Sequence, residues 1–231
     1  MAHLAHYREA HPLPYVITHW INLLSMIVLA FTGFVIHFPF LPGIMGICRG
    51  AHLFFACLVL VNMAFRIFSS PFIKSAPNMG TREKRQDMFV FLPQKDNRHQ
   101  FGAWIKYYLF LKKDHPLSGK YGVPQKLAYL AVIPLTLFIA FTGFCLWVPT
   151  SDWFLMQFFT DLVGGVMAVR IIHYWTMWIM IIFVMLHVYL SIANGLAPLK
   201  MIFLWKEHGG LVYDPKTKNI IGEDDLSEEH A

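Results

Sequence analysis

The 231 residues are 56% hydrophobic and 16% aromatic, only 14% are charged, and the mean hydropathy is +0.48. That excludes an ordinary soluble domain, whose charged share is about 25%, and places the chain in a lipid bilayer. The net charge of +5 implies no nucleic-acid partner, because its distribution along the chain follows membrane topology.

In chain order, MAHLAHYREAHPLP (1–14) lacks a compact apolar core followed by a small-residue cleavage site, so no signal peptide is predicted and the first span inserts itself. Four stretches approach the roughly 20 apolar residues that a spanning helix needs: Tyr15 to Ile36, Ala51 to Phe68, Leu127 to Val148, and Arg170 to Ile192. The segments 37–50 and 149–169 read as short external loops. The connection 69–126 is long. It opens with SAPNMGTREKRQD and continues through RHQFGAWIKYYLFLKKDHP, whose aromatic and leucine residues between basic ones predict a helix in the headgroup layer. The tail from 196 to 231 is polar with an acidic end, and is predicted to be loosely ordered or to lie against a partner. Cys48, Cys57 and Cys145 form no CxxC or CxxCH pattern, which leaves them a packing role.

Lysine and arginine collect on the side that is not translocated. Residues 1–14 hold one, the 69–126 connection eleven and the tail from Asn194 four; with Arg66, 17 of 19 lie on one side. Both termini are therefore predicted to be cytoplasmic, with 1–14 an N-terminal segment, 15–195 a four-helix membrane domain and 196–231 a C-terminal tail.

Depth then sorts the histidines. The first and third spans run outward, the second and fourth inward. His19 falls near the inner surface, His52 near the outer, His173 near the outer, and His187 about 21 Å deeper at roughly 1.5 Å per residue. His173 and His187 are 14 residues apart in HYWTMWIMIIFVMLH, which leaves them about 40° apart around the axis, on one face. The pairs are His52 with His173 and His19 with His187. Two neutral imidazoles at each of two depths, with no thiolate or carboxylate near, suit haem b held on both axial faces in a bundle core. The fold expected is an all-α, integral membrane four-helix bundle around two non-covalent haems b, with these four histidines as iron ligands.

The spacing of 14 recurs from His19 to Gly33 and from His52 to Arg66. Gly33 would make room for the outer macrocycle, and Arg66 would pair with a propionate of the inner one. AFTGFVIHF (30–38) and AFTGFCLWV (140–148) repeat one another, giving the third span Gly143 and a similar close approach. His37 stands at the outer end of the first span as a candidate proton relay or accessory ligand.

These residues resemble the di-haem b-type cytochrome subunits that anchor respiratory complexes: nickel-iron hydrogenase cytochrome b, formate dehydrogenase gamma and thiosulfate reductase cytochrome b. The resemblance covers about residues 12–195, through HWINLLSMIVLAFTGF, HLFFACLVLVNMAFR, YYLFLKK, QKLAY and the histidine pair of the fourth span. YYLFLKK followed by TGF is most similar to the hydrogenase branch, with a molybdoenzyme partner as the other possibility.

The resemblance implies an electron-transfer subunit, without catalytic residues of its own, in a bacterial or archaeal cytoplasmic membrane. An iron-sulfur subunit and a catalytic subunit would dock at the outer face. Menaquinone or ubiquinone would react beside the inner haem, near His187, Gln125 and Lys126, with Tyr121 and Gly122 just before them. The gamma-type pattern has Asn where this chain has Gly122, so the hydrogen bond that Asn would give a quinone carbonyl is missing or supplied by another group. Two other readings compete. A stand-alone cytochrome b561 would not need the long inner connection or acidic tail, and a histidine-lined ion transporter would place carboxylates in the spans, where none occurs.

Overall fold

The computed structural model describes residues 8–75, 84–91, 98–113, 122–193, 196–206, 210–213 and 220–224. It is mostly helical, and four helices are long and apolar enough to cross a membrane: α1 Leu13–His37, α2 Met45–Ser69, α5 Val123–Leu146 and α8 Val166–Ala193. Between them lie α3 Asp87–Phe91, α4 Phe101–Tyr108, α6 Val148–Ser151 and α7 Phe154–Leu162, and α9 Ala197–Leu204 follows. The chain forms two compact units, one of Thr18–Phe65 with Ala131–Leu186, the other of Met1–Ile17, Arg66–Leu130 and His187–Ala231.

Local chemistry sets the helix starts. Pro12 accepts the first amides of α1, from Tyr15 at 2.8 Å and Val16 at 3.2 Å, and Pro14 falls in the first turn, where a missing N–H has no consequence. At α5 the Gly122 carbonyl accepts the Lys126 amide at 3.0 Å, while Gln125 Oε1 accepts the Gly122 amide at 3.0 Å. This is the glutamine half of a capping box. Pro134 lies inside α5 and deprives the Leu130 carbonyl of its usual donor.

The first unit inverts the pattern of a soluble core. Ser25 and Thr142 have no exposed surface and Thr32 and Thr176 are buried, whereas Leu24, Ile27, Phe54, Val61 and Trp175 face outward. In hydrocarbon, outward apolar residues meet lipid and polar groups must be satisfied inside. The hydroxyls do this by donating to their own helix one turn back, Ser25 to Ile21 O and Thr176 to Ile172 O, both at 2.7 Å. Asn62 Nδ2 ties α2 to α1 by donating to Thr18 O at 2.7 Å and Asn22 Oδ1 at 2.8 Å.

Segment 149–169, expected as a loop, instead carries α6 and α7. Phe159 of α7 packs edge-on against Phe141 at 5.0 Å, while Phe154, Phe158 and Leu162 stay exposed; a stretch too short to span still folds when it has an apolar side to rest. Gly164 and Gly165, at φ of 98° and 100°, make the left-handed turn into α8 that a side chain would oppose. Helix α2 likewise takes up part of the 37–50 loop, because its backbone bonds propagate beyond the apolar window, with Cys48 N–H donating to Ile44 O at 2.9 Å.

The second unit holds the connection and the tail. β1 Lys74–Ser75 pairs antiparallel with β2 Arg85–Gln86. Of the predicted headgroup helix, Phe101–Tyr108 is helical. It ends with Phe110 at φ 59°, Phe110 N–H donating to Tyr107 O at 2.9 Å and Leu111 N–H to Lys106 O at 2.8 Å. That is the Schellman termination, with Phe where Gly is usual. The tail, expected to be loosely ordered, contains α9 and an antiparallel pair, β3 Gly210–Tyr213 with β4 Ile220–Asp224. The strands satisfy each other's backbone groups, an outcome that net charge alone does not reveal. Cys48 and Cys145 are buried and Cys57 is exposed, all as free thiols.

Candidate functional site

In the first unit, α2 and α8 bring His52 and His173 together, with ring centroids 6.3 Å apart and planes at 64°. Each ring is held from behind. His52 Nδ1 lies 2.9 Å from Thr32 Oγ1 on α1, and His173 Nδ1 lies 2.8 Å from Thr142 Oγ1 on α5. Thr32 gives its single hydroxyl proton to Val28 O at 2.7 Å, and Thr142 gives its own to Ile139 O at 2.9 Å. With its proton so placed, each hydroxyl oxygen can accept from Nδ1–H, the tautomer that leaves Nε2 with a lone pair on each ring.

The glycine after each threonine completes the cradle. A methyl at Gly33 would stand 3.5 Å from His52 Cε1 and 3.2 Å from Met177 Sδ, and one at Gly143 would stand 3.4 Å from His173 Cε1. The imidazole edge thus rests on bare backbone in both places. So the repeated AFTGF is one device used twice, on α1 for His52 and on α5 for His173. The glycines of this repeat stood out in the sequence as packing positions; the partner of the threonines did not, because it lies on another helix.

His37, beyond this pair, stacks on Tyr174 at 3.9 Å with planes 8° apart and meets the edge of Phe38 at 4.5 Å. One face of its ring is thereby covered by Tyr174. His19 belongs to the same unit as the His52 and His173 pair, within the α1 turn that Asn62 ties down through Thr18 and Asn22.

His187 belongs to the second unit. There Tyr129 of α5 approaches it edge-on, with centroids 5.5 Å apart, a contact the sequence reading did not anticipate. Lys126, one turn earlier on α5, is 2% exposed. Gln125 uses its Oε1 to cap α5, and its Nε2 donates to Leu190 O at 3.5 Å. Gly122 lies against the Trp104 indole, where an added methyl would come within 2.9 Å of the ring. The absence of Asn at 122 therefore has a packing cause in this chain. Tyr121 lies outside the described residues.

Arg66 has protein partners. Its Nη2 pairs with Asp87 Oδ2 at 2.6 Å, Asp87 Oδ1 accepts from Ser75 Oγ at 2.7 Å, and the guanidinium lies 3.5 Å over the Tyr15 ring. Asp87 is fully buried. The pair fastens the connection to the end of α2, a contact between residues whose charges gave no sign of it among the many in that connection.

Among the described residues no three His, Cys, Asp or Glu side chains gather, and His52 and His173 offer a pair of imidazole donors. That donor set fits haem b, whose four equatorial nitrogens leave two axial positions. The separation also fits. Two metal–imidazole bonds of about 2 Å each fill most of the 6.3 Å between centroids, and the distance from each ring centre to its own nitrogen fills the rest.

Four spanning helices and a pair of facing, Nδ1-bonded imidazoles mark a multi-pass helical membrane protein built to hold a group between two histidines. The family described as prokaryotic cytochrome b561 matches residues 10–203, and the chain belongs to that family of b-type cytochromes, whose cofactor is haem b. Its relatives include proteins described as "Probable Ni/Fe-hydrogenase B-type cytochrome subunit". That of Bradyrhizobium diazoefficiens is 29% identical, covering 79% of this chain and 77% of the relative. That of Azotobacter vinelandii is 26% identical over 77% of each. The hydrogenase 1 subunit of Escherichia coli K12 is 27% identical over 79% of this chain and 81% of its own length.

Proposed function

We propose that the chain is the membrane electron-transfer subunit of a nickel-iron hydrogenase. It would carry electrons through two bis-histidine haems b between an iron-sulfur subunit at the outer face and a quinone at the inner one. The observation that carries the proposal is the His52 and His173 pair, whose nitrogens and separation suit one haem. His19 and His187 would hold the second. The names of the relatives support the hydrogenase partner, and the charge distribution supports a bacterial or archaeal cytoplasmic membrane with both termini inside.

Haem b, when bound, would supply a one-electron couple, with His52 and His173 holding one such group. The protein's part is to hold the imidazoles and exclude water. Quinone reduction needs two electrons and two protons, so groups able to donate a proton must face it. Lys126 and Tyr129, on the α5 face near His187, have that chemistry; Gln125 serves chiefly to cap the helix. Electrons entering outside and protons taken from inside would store about 2.3 kcal/mol per charge per 100 mV.

The test is done in native membranes containing the hydrogenase. Hydrogen should reduce the haem α-band and a soluble naphthoquinone should reoxidise it, and Lys126→Met should slow reoxidation several-fold while leaving reduction intact. Haem that hydrogen does not reduce, in membranes with active hydrogenase, would contradict the proposal.

A further inference from the structure

We propose that Thr32 and Thr142 are the positioning residues of the His52 and His173 centre and that their hydroxyls set its reduction potential. This rests on the haem reading above and goes beyond it, by assigning the tuning of one centre to two residues that touch no iron.

The geometry is duplicated. Each threonine lies on the helix neighbouring a histidine, accepts from its Nδ1 at 2.9 or 2.8 Å, and donates onward to a carbonyl of its own helix at 2.7 or 2.9 Å. The onward bond has two effects. It fixes the hydroxyl as an acceptor, which holds the imidazole in the tautomer whose Nε2 is free. It also polarises the oxygen, which strengthens the bond from Nδ1–H. Such a hydrogen bond orients the ring and raises the basicity of the metal-binding nitrogen. A more basic ligand stabilises the ferric state and lowers the potential.

A carboxylate in the same place would pull the Nδ1 proton much further. A neutral hydroxyl raises basicity mildly and brings no charge into hydrocarbon. Thr-Gly occurs in the chain only at 32–33 and 142–143, so both copies serve this one centre and the effect should be confined to it.

The experiment is a redox titration of the purified full-length chain, followed optically and by low-spin EPR, for wild type, Thr32→Val, Thr142→Val, the double variant and the matching Ser variants. Val keeps the shape and removes the acceptor; Ser keeps the acceptor. The expected result is that one midpoint potential moves upward in each Val variant, further in the double variant, with a shift of that haem's EPR signal. The other haem should stay at its wild-type values, and Ser should restore the first. Loss of that one haem in Val but not in Ser would equally support the positioning role. Wild-type potentials and spectra in the double Val variant, with both haems present, would overturn it, as would loss of haem in Val and Ser alike. A wild-type chain without haem would instead overturn the electron-transfer reading, and this proposal with it.

Discussion

The two units of the chain handle polarity in opposite ways. In the unit of Thr18–Phe65 and Ala131–Leu186, the buried polar groups described are threonine and serine hydroxyls and the Asn62 amide, and Ser25, Thr32, Asn62 and Thr142 bond to helix carbonyls or to part-buried partners such as His52 and His173. In the other, the buried groups include the Asp87 carboxylate and the Lys126 amine, with Tyr129 against His187. An interior without carboxylates or amines disturbs an electron carrier little. The groups that can exchange protons belong to the second unit, where proton-coupled chemistry at a quinone would need them.

That contrast predicts unequal responses to mutation. Asp87→Asn should have the largest effect on stability, because it leaves the Arg66 guanidinium beside a neutral partner. Removing one member of a buried pair costs about 3–5 kcal/mol; with Arg66 29% exposed, about 2–3 kcal/mol is expected here, read as a lower thermal midpoint in detergent. A variant as stable as wild type would show that the pair does not hold the connection to α2. Asn62→Leu, which removes two neutral hydrogen bonds, should cost only about 1.2 kcal/mol by the same measurement, at roughly 0.6 kcal/mol per bond. The reason is that the alternatives available within the membrane also satisfy neutral groups. Were the Asn62 variant the weaker of the two, the contrast between the units would fail.

Much of this was legible in the sequence, for stated reasons. Length and hydropathy mark a spanning helix, so the four long helices of the structure coincide with the four apolar stretches, within six residues at each end. Rise per residue placed His52 at the depth of His173, and the two rings lie 6.3 Å apart. The AFTGF repeat was visible as well, but a hydroxyl on one helix bonding an imidazole on the next depends on helix rotation, which spacing along a single helix does not determine. Arg66 illustrates the same limit. Its depth allowed a propionate, yet Asp87, 21 residues on, takes one side of the guanidinium. Residue spacing could not show that β1 and β2 fold Ser75 and Asp87 back against it. α7 escaped notice because it is shorter than a span and contains Asp161 and Gln157, so that it resembles a loop in a hydropathy profile.

The most direct measurement is the pyridine haemochrome of the purified chain, for wild type, His52→Ala and His19→Ala. About two haems b per wild-type chain and one in each variant are expected, with the EPR spectrum of native His52→Ala lacking the centre that Thr32 and Thr142 support. One haem in the wild type, indifferent to either substitution, would contradict the two-haem reading.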